Sequence, residues 1–225
     1  MVDKGKIDAL KGLKVHEYLL EKGVETPYSK EMSLDSNDKK QKIQQHFNEI
    51  MVLLGLDLSD DSLKETPKRV ARMFVDEIYW GLDYTNFPKI TTIENKMSYD
   101  EMIIEKNIKC LSNCEHHFVP ILGTAAIAYI PNKKVIGLSK LNRIVEYFCR
   151  RPQVQERLTE QIFYALEYIL ETSNIAVIIE AQHTCVITRG VEDLNSRTVT
   201  SKIGGLFKTN NDVRAEFYNL LKLQV

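Results

Sequence analysis

The sequence contains no apolar run that approaches the roughly 20 residues needed to span a bilayer. Its first residues, MVDKGKIDALKGLKVHEYLLEKG, carry acidic residues and lysines throughout and lack the apolar centre of a signal peptide. Both absences argue against a membrane-embedded or secreted protein. We therefore expect a cytoplasmic protein with no membrane partner.

An excess of charge of one sign is also missing. The formal net charge of the 225 residues is −1 at pH 7, so the chain has no global basic field that would attract nucleic acid or anionic lipid. We expect no nucleic-acid partner. Any anionic ligand must instead be held by a local cluster of basic side chains.

Cysteine is scarce, with four residues: Cys110, Cys114, Cys149 and Cys185. Because cytosolic thiols are kept reduced, they favour metal binding or catalysis over a disulfide framework. Repeats and low-complexity segments are absent as well. The composition is that of an ordinary soluble globular chain, and its length suits one large domain or a small domain with an extension.

The part of the chain before residue 96 is mostly helical in its apolar spacing. The predicted helices span 5–22, 39–56 and 59–82, and a polar linker occupies 25–38. Gly55 and Gly81 suit helix ends, and Pro67 suits a first turn. This pattern predicts an N-terminal helical region over residues 1–95.

Beyond residue 95, strands at both ends enclose two helices. The predicted strands cover 102–111, 118–131, two segments within 174–190, and 197–205; the predicted helices cover 138–151, 154–173 and 211–224. Ser139 is the predicted N-cap of the first of these helices. The pattern predicts an α+β domain over residues 96–225, an antiparallel sheet with two helices on one face. Its strand edges favour oligomerisation, because exposed edges must be paired or covered.

Three of the five histidines fall in two cysteine-containing windows, CEHH and HTC. Cys114 and His117 are three residues apart, which lets a turn point both at one ion. Cys185 lies two residues from His183 and shares its face if that segment is a strand. Cys114, His117 and Cys185 would form a Cys₂His set that suits Zn²⁺ and leaves a fourth position for water. His116 and His183 would remain nearby as proton carriers.

The spacing alone leaves two alternatives open. Cys110 could complete a closed structural site of the Cys₄ or Cys₃His kind, or the cysteines could be buried without a metal. The other two histidines, His16 and His46, lie on predicted N-terminal helices, where we expect them to be solvated.

A small basic cluster could hold an anion. Lys140 and Arg143, in the segment SKLNR, share one face in the first turns of a helix, where free N–H groups favour anions and Ser139 adds a hydroxyl. Arg189 follows the HTC window and can approach the metal region. Arg69 is a further candidate, remote in sequence. The alternative for each is an ordinary solvated charge.

Gln155 and Glu156 open the long second helix of this domain. A carboxylate at a helix N-terminus is explained by the helix dipole alone. The functional alternative is that Glu156 accepts hydrogen bonds from an N–H pair of a ligand, such as a guanine edge.

Long segments of the chain resemble the GTP cyclohydrolase I family. They are DLSDDSLKETPKRVARMFVDEIYWGLDYTNFPKI, CEHHFVPILGTAAIAYIP, VIGLSKLNRIVEYF, RPQVQERLTEQI, HTCVITRG and TSKIGGLF. The resemblance runs from about residue 15 to the end of the chain. Thr184 and the VIT before Arg189 depart from the pattern, but in a strand Thr184 would face away from the metal.

The resemblance implies that GTP and water give 7,8-dihydroneopterin triphosphate and formate, the first step of tetrahydrofolate and pterin biosynthesis. It implies a tunnelling fold, a homodecamer of two stacked pentamers, and active sites between subunits. Arg69 would then reach in from a neighbouring subunit. The implied roles are zinc ligation by Cys114, His117 and Cys185, catalysis by His116, His183 and Ser139, guanine reading by Gln155 and Glu156, and triphosphate and ribose contacts by Ser139, Lys140, Arg143, Arg189 and Arg69.

Two other functions remain compatible with the scaffold. One is a non-catalytic GTP-binding or assembly protein, which the intact set of histidines and cysteines disfavours. The other is a related tunnelling-fold enzyme acting on a pterin or deazapurine, which the complete series of motifs disfavours.

Overall fold

The computed structural model describes residues 6–29 and 34–223. Residue 5 of the first predicted helix, residue 224 of the last and part of the 25–38 linker lie outside the described residues. No helix in the described part of the chain has both the length and the apolar character needed to cross a membrane.

Helices occupy the N-terminal part of the described chain, and strands and helices the rest. The helices are α1 (Ala9–Glu21), α2 (Ser36–Leu53), α3 (Thr66–Arg72), α4 (Leu138–Cys149), α5 (Gln155–Leu170), α6 (Thr184–Ile187), α7 (Gly205–Thr209) and α8 (Asn211–Lys222). A π-helical turn (Met73–Ile78) extends α3, and two 3₁₀ turns follow it (Trp80–Leu82, Tyr84–Asn86). The strands are β1 (Thr92–Glu94), β2 (Ile103–Cys114), β3 (Pro120–Tyr129), β4 (Lys134–Ile136), β5 (Pro152–Gln153), β6 (Ile175–His183) and β7 (Thr198–Ile203).

Side-chain caps start the longer N-terminal helices. Asp8 accepts from the Lys11 N–H at 3.0 Å, and Asp35 accepts from two N–H groups of the first turn of α2. Gly55, with φ of 78°, follows the end of α2 in the left-handed conformation that glycine adopts without strain. The predicted positions of these helices are confirmed to within a few residues.

The main sheet has the strand order β5-β2-β3-β6-β7. Neighbours from β2 to β7 are antiparallel, and the short β5 runs parallel to β2 with Gln153 opposite Cys114. His183 is opposite Ile121, and Asn113 is opposite Pro120. The C-terminal ends of β2 and β6 therefore meet at one end of the sheet.

The two faces of the sheet are covered differently. Helices α4 and α5 lie on one face and form the main core with β2, β3 and β6. A smaller apolar cluster on the other face joins α7 and α8 to Ala128 and Ala176. The predicted α+β fold, with two helices on one face of an antiparallel sheet, is confirmed.

The N-terminal helices join the same core, since Val15 and Leu19 of α1 are fully buried in it. Arg151, also fully buried, lies 3.6 Å from the Glu25 carboxylate and stacks on three aromatic rings at 4.9–5.0 Å. Removing one partner of such a buried pair costs about 3–5 kcal/mol. Because Arg151 directly precedes β5, this contact fixes the segment beside Cys114. The division into domains at residue 95 stays a prediction.

Four local predictions are wrong. Helix α3 begins at Thr66 rather than residue 59, because Asp57 and Asp60 form turns with the serines two residues on. Gly137, not Ser139, is the N-cap residue of α4. The 174–190 segment contains one strand followed by the helical turn α6. His16 is not simply solvated, since its Nδ1 lies 3.0 Å from Glu25 Oε2.

Candidate metal centre and active site

The turn after β2 carries two of the predicted ligands. Cys114 ends β2, and the chain turns back into β3 through two backbone hydrogen bonds, Phe118 N–H to the Cys114 carbonyl and Cys114 N–H to the Val119 carbonyl, both 2.8 Å. Phe118 has φ of 57°, which costs a bulky non-glycine residue about 1–3 kcal/mol. This tight turn lets Cys114 and His117 share one side.

The third predicted ligand comes from the end of β6. The strand stops at His183, and Thr184 opens the helical turn α6 while its hydroxyl donates to the Pro120 carbonyl at 2.7 Å. The prediction of a second strand in this segment, on which Cys185 and His183 would share a face, is therefore wrong. The β-forming residues of this segment yield to the tertiary contact with β3.

The ligand atoms of Cys114, His117 and Cys185 lie within 4.8 Å of one another. Burial, followed by the hydrogen bond with Cys114, raises the pKa of the Cys185 thiol. Two thiols and an imidazole that lie this close together form a donor set that suits a borderline-soft ion such as Zn²⁺. The group can therefore hold a metal ion, which would displace the thiol protons.

Cys110 does not belong to this group. It is fully buried, four residues before Cys114 on β2, a separation of about 13 Å along a strand. Its Sγ lies 3.5 Å from the Sγ of Cys149 at the end of α4. The alternative of a closed site completed by Cys110 does not fit the structure.

Two further side chains lie close to the ligands. His116 Nδ1 is 3.7 Å from Cys114 Sγ, and its side chain is exposed. Arg189 donates to His117 Nε2 at 2.8 Å, because a guanidinium can only donate. An exposed cation thus lies directly beside the metal-binding group, as the prediction that Arg189 approaches this region requires.

His183 is oriented by Gln155. The Gln155 Nε2 donates to the Ile179 and Thr198 carbonyls at 3.0 Å, which leaves Oε1 to accept from His183 Nε2 at 2.8 Å. The carbonyls only accept, so the amide orientation is defined, and His183 carries its proton on Nε2. Burial lowers the pKa of His183, and the Glu156 carboxylate opposes this shift. The Nδ1 atom remains as the basic nitrogen.

Glu156 and its neighbour Gln155 differ in exposure. Gln155 is only 1% exposed and its amide is engaged on both sides, whereas Glu156 is exposed at the first turn of α5. Of the pair predicted to read guanine, only the Glu156 carboxylate faces solvent.

The predicted anion cluster on α4 lies far from the metal-binding group of the same chain. Asn142 contacts Glu105 at 3.4 Å and Cys149 contacts Cys110 at 3.5 Å, so α4 runs alongside β2 in the same direction. Glu105 and Cys114 are nine residues apart on β2, which has a bulge after Glu105, so they are separated by roughly 25 Å. The structure therefore separates Ser139, Lys140 and Arg143 from the metal-binding group within one chain. Arg69 is exposed on α3.

Several contacts of the site were not predicted. Glu115, inside the CEHH window, pairs with Arg157 of α5 and its N–H donates to the Gln153 carbonyl at 3.0 Å. The Tyr79 hydroxyl is buried with no hydrogen-bond partner among the described residues, and burial together with the Cys114 charge raises the pKa of Tyr79 to about 12. No sequence spacing identifies Glu115, Arg157 or Tyr79 as part of the site, although all three lie in segments that resemble the family.

Together the fold and the site define an α+β protein with a Cys-His-Cys group that could bind a metal ion. His116 and Arg189 contact members of this group, and His183 lies two residues before Cys185. A family model described as GTP cyclohydrolase I matches residues 43–222. The chain belongs to the GTP cyclohydrolase I family. This confirms the predicted family and enzyme class and agrees with the predicted tunnelling fold.

Curated relatives span nearly the whole chain. GTP cyclohydrolase 1 of Yersinia enterocolitica is 56% identical over 208 residues, covering 92% of this chain and 94% of the relative. The protein of the same name from Pectobacterium carotovorum is 58% identical with the same coverage. That of Shewanella baltica is 55% identical over 210 residues, covering 93% of this chain and 97% of the relative.

Proposed function

We propose that the protein is an active zinc-dependent GTP cyclohydrolase, which converts GTP and water to 7,8-dihydroneopterin triphosphate and formate. The observation that carries the proposal is the convergence of Cys114, His117 and Cys185 within 4.8 Å, with His116 and His183 beside them, in a chain of this family. As the first step of pterin and tetrahydrofolate biosynthesis, the reaction would take place in the cytoplasm.

Cys114, His117 and Cys185 would hold the zinc ion, which supplies Lewis acidity and a water of lowered pKa when bound. His183, with Nε2 donating to Gln155, presents Nδ1 for proton uptake and release. His116 is the second proton carrier, on the exposed side of Cys114. Ser139 is the third catalytic group of the proposal.

Glu156 is the guanine reader of the proposal. Its carboxylate is exposed and lies near His183, whose pKa it influences. An exposed carboxylate accepts both N–H groups of a guanine edge at once. Gln155 serves the base indirectly, because its amide is engaged with His183 and the sheet.

Of the basic residues proposed to bind the triphosphate, the described part of one chain brings Arg189 into contact with the metal-binding group. Arg189 is there, whereas Ser139, Lys140 and Arg143 lie towards the Glu105 end of β2, at least about 20 Å away. A neighbouring copy can present its own α4 at this position. This separation supports the proposed homodecamer of two pentamers with active sites between subunits, in which Arg69 also comes from a neighbour.

The test is a formate and pterin assay on purified, zinc-loaded protein supplied with GTP. We expect formate and, after oxidation, a fluorescent pterin in equal amounts. Absence of both products from a metal-replete oligomer contradicts the proposal. Tight GTP binding without ring opening identifies the non-catalytic alternative instead, and turnover of a pterin or deazapurine but not GTP identifies the related enzyme.

A further inference from the structure

The turn that carries Cys114 and His117 depends on the conformation of one residue. Phe118 adopts a positive φ of 57°, which bulky residues avoid unless the surrounding structure imposes it. Its N–H closes the turn onto the Cys114 carbonyl at 2.8 Å. Relaxation of Phe118 to an ordinary φ would change the direction of the adjacent His117.

The Phe118 ring is held by two aromatic rings from the N-terminal region. Its centroid lies 5.6 Å from Tyr79 in an edge-to-face arrangement and 6.3 Å from Phe74. Both distances fall in the range of favourable aromatic pairs. The residue as a whole is nevertheless 50% exposed, so general burial does not account for the position of the ring.

A π-helical turn explains why both rings reach Phe118. Phe74 and Tyr79 are five residues apart, and the Tyr79 N–H donates to the Phe74 carbonyl at 3.0 Å. In an α-helix, positions five apart point about 140° away from each other. The i→i+5 hydrogen bond instead places them one turn apart on the same side, and such turns are frequent at functional sites.

We propose that Phe74, Tyr79 and Phe118 form an aromatic clamp that positions the metal centre, by holding the Cys114–Phe118 turn in the conformation that directs Cys114 and His117 towards Cys185. The clamp joins the N-terminal helical region to the metal-binding group. The clamp rests on the proposed function, since it requires that Cys114, His117 and Cys185 bind a metal.

The test measures zinc affinity of the oligomeric protein by competition with a chromogenic chelator, together with thermal unfolding of the metal-free form. Phe118→Ala removes the ring and keeps the conformational cost, so we expect at least a 10-fold weaker zinc affinity. Phe118→Gly accepts a positive φ freely and should fall between Phe118→Ala and the wild type. Phe74→Ala should weaken zinc binding as well, and the double variant with Phe118→Ala should lose less than the product of the two single effects.

Phe47→Ala is the matched control. Phe47 lines the same N-terminal cavity as Phe74 but has no aromatic contact with Phe118 among the described residues. We expect its zinc affinity to equal that of the wild type. Wild-type affinity in both Phe118 variants, with or without a lower unfolding temperature, overturns the clamp alone. Failure of the wild type to bind zinc overturns both the clamp and the proposed function.

Discussion

Two pairs of thiols on β2 and its neighbours have opposite environments. Cys110 and Cys149 are at most 1% exposed, with their Sγ atoms 3.5 Å apart in the core between sheet and α4. Cys114 and Cys185 lie at the end of the sheet, with an imidazole beside them. The hydrogen bond with Cys110 and complete burial raise the pKa of Cys149, and the charge of Arg150 only partly opposes this shift. Proximity of thiols is therefore not enough for a metal site, which also needs a third donor and access from solvent.

The largest expected difference between the pairs is in metal binding. Cys185→Ala leaves two ligands, so we expect loss of bound zinc and of formate release, both by more than 100-fold. Cys149→Ala is the matched control and should retain both. Metal analysis after gel filtration and the formate assay measure the two effects, and zinc retained at wild-type level in Cys185→Ala would show that the ligand set is wrong.

The next effect separates metal binding from proton transfer. His183→Ala removes the basic Nδ1 but no ligand, so zinc content should be unchanged while kcat falls by about 10²–10⁴-fold. Loss of zinc in this variant would instead place His183 among the ligands. Full turnover with normal zinc content would remove it from the mechanism.

A smaller effect is expected at Gln155. Gln155→Leu leaves His183 without the acceptor that fixes its Nε2 proton, and we expect kcat to fall by about 10-fold to 100-fold. KM for GTP should change little if Glu156 reads the base alone. A rise in KM at constant kcat would return Gln155 to the guanine-reading pair.

The smallest effect concerns the buried pair. Cys149→Ala should lower the free energy of unfolding by about 1 kcal/mol, measured in urea on metal-free protein, because removal of a buried sulfur leaves a small void.

Thiol labelling compares the two pairs directly. In the native protein, a thiol reagent should label Cys185 and spare Cys110 and Cys149, and zinc should protect Cys185. Equal labelling of all cysteines would remove the distinction between the pairs.

Much of the site could be predicted because its residues have distinctive types and short spacings. Cys114 and His117 lie within one turn, and Cys185 stands out as a cysteine two residues after a histidine. The sheet followed from strand-like segments flanking two helices. The helical turn α6 could not be predicted, since its residues favour strands, whereas the tertiary contact of Thr184 with Pro120 favours the turn.

Other features required three-dimensional information. Phe74 and Tyr79 have a five-residue spacing that matches no common helical period, so their shared contact with Phe118 depends on the π-helical turn. Nothing in the sequence around Gln155 indicates that its amide forms hydrogen bonds within the chain, to the sheet and to His183. The direction of α4 along β2, which separates Lys140 from Cys114, likewise follows from packing alone.

The most direct test of the account is a titration of metal-free protein with zinc, in which bound metal and formate release from GTP are measured on the same sample. We expect turnover to rise in proportion to occupancy and to level off at about one zinc ion per chain, as three protein ligands and one open position require. Cys149→Ala should follow the same curve, and Cys185→Ala should remain inactive at every zinc concentration. Formate release that is independent of zinc occupancy would contradict the account.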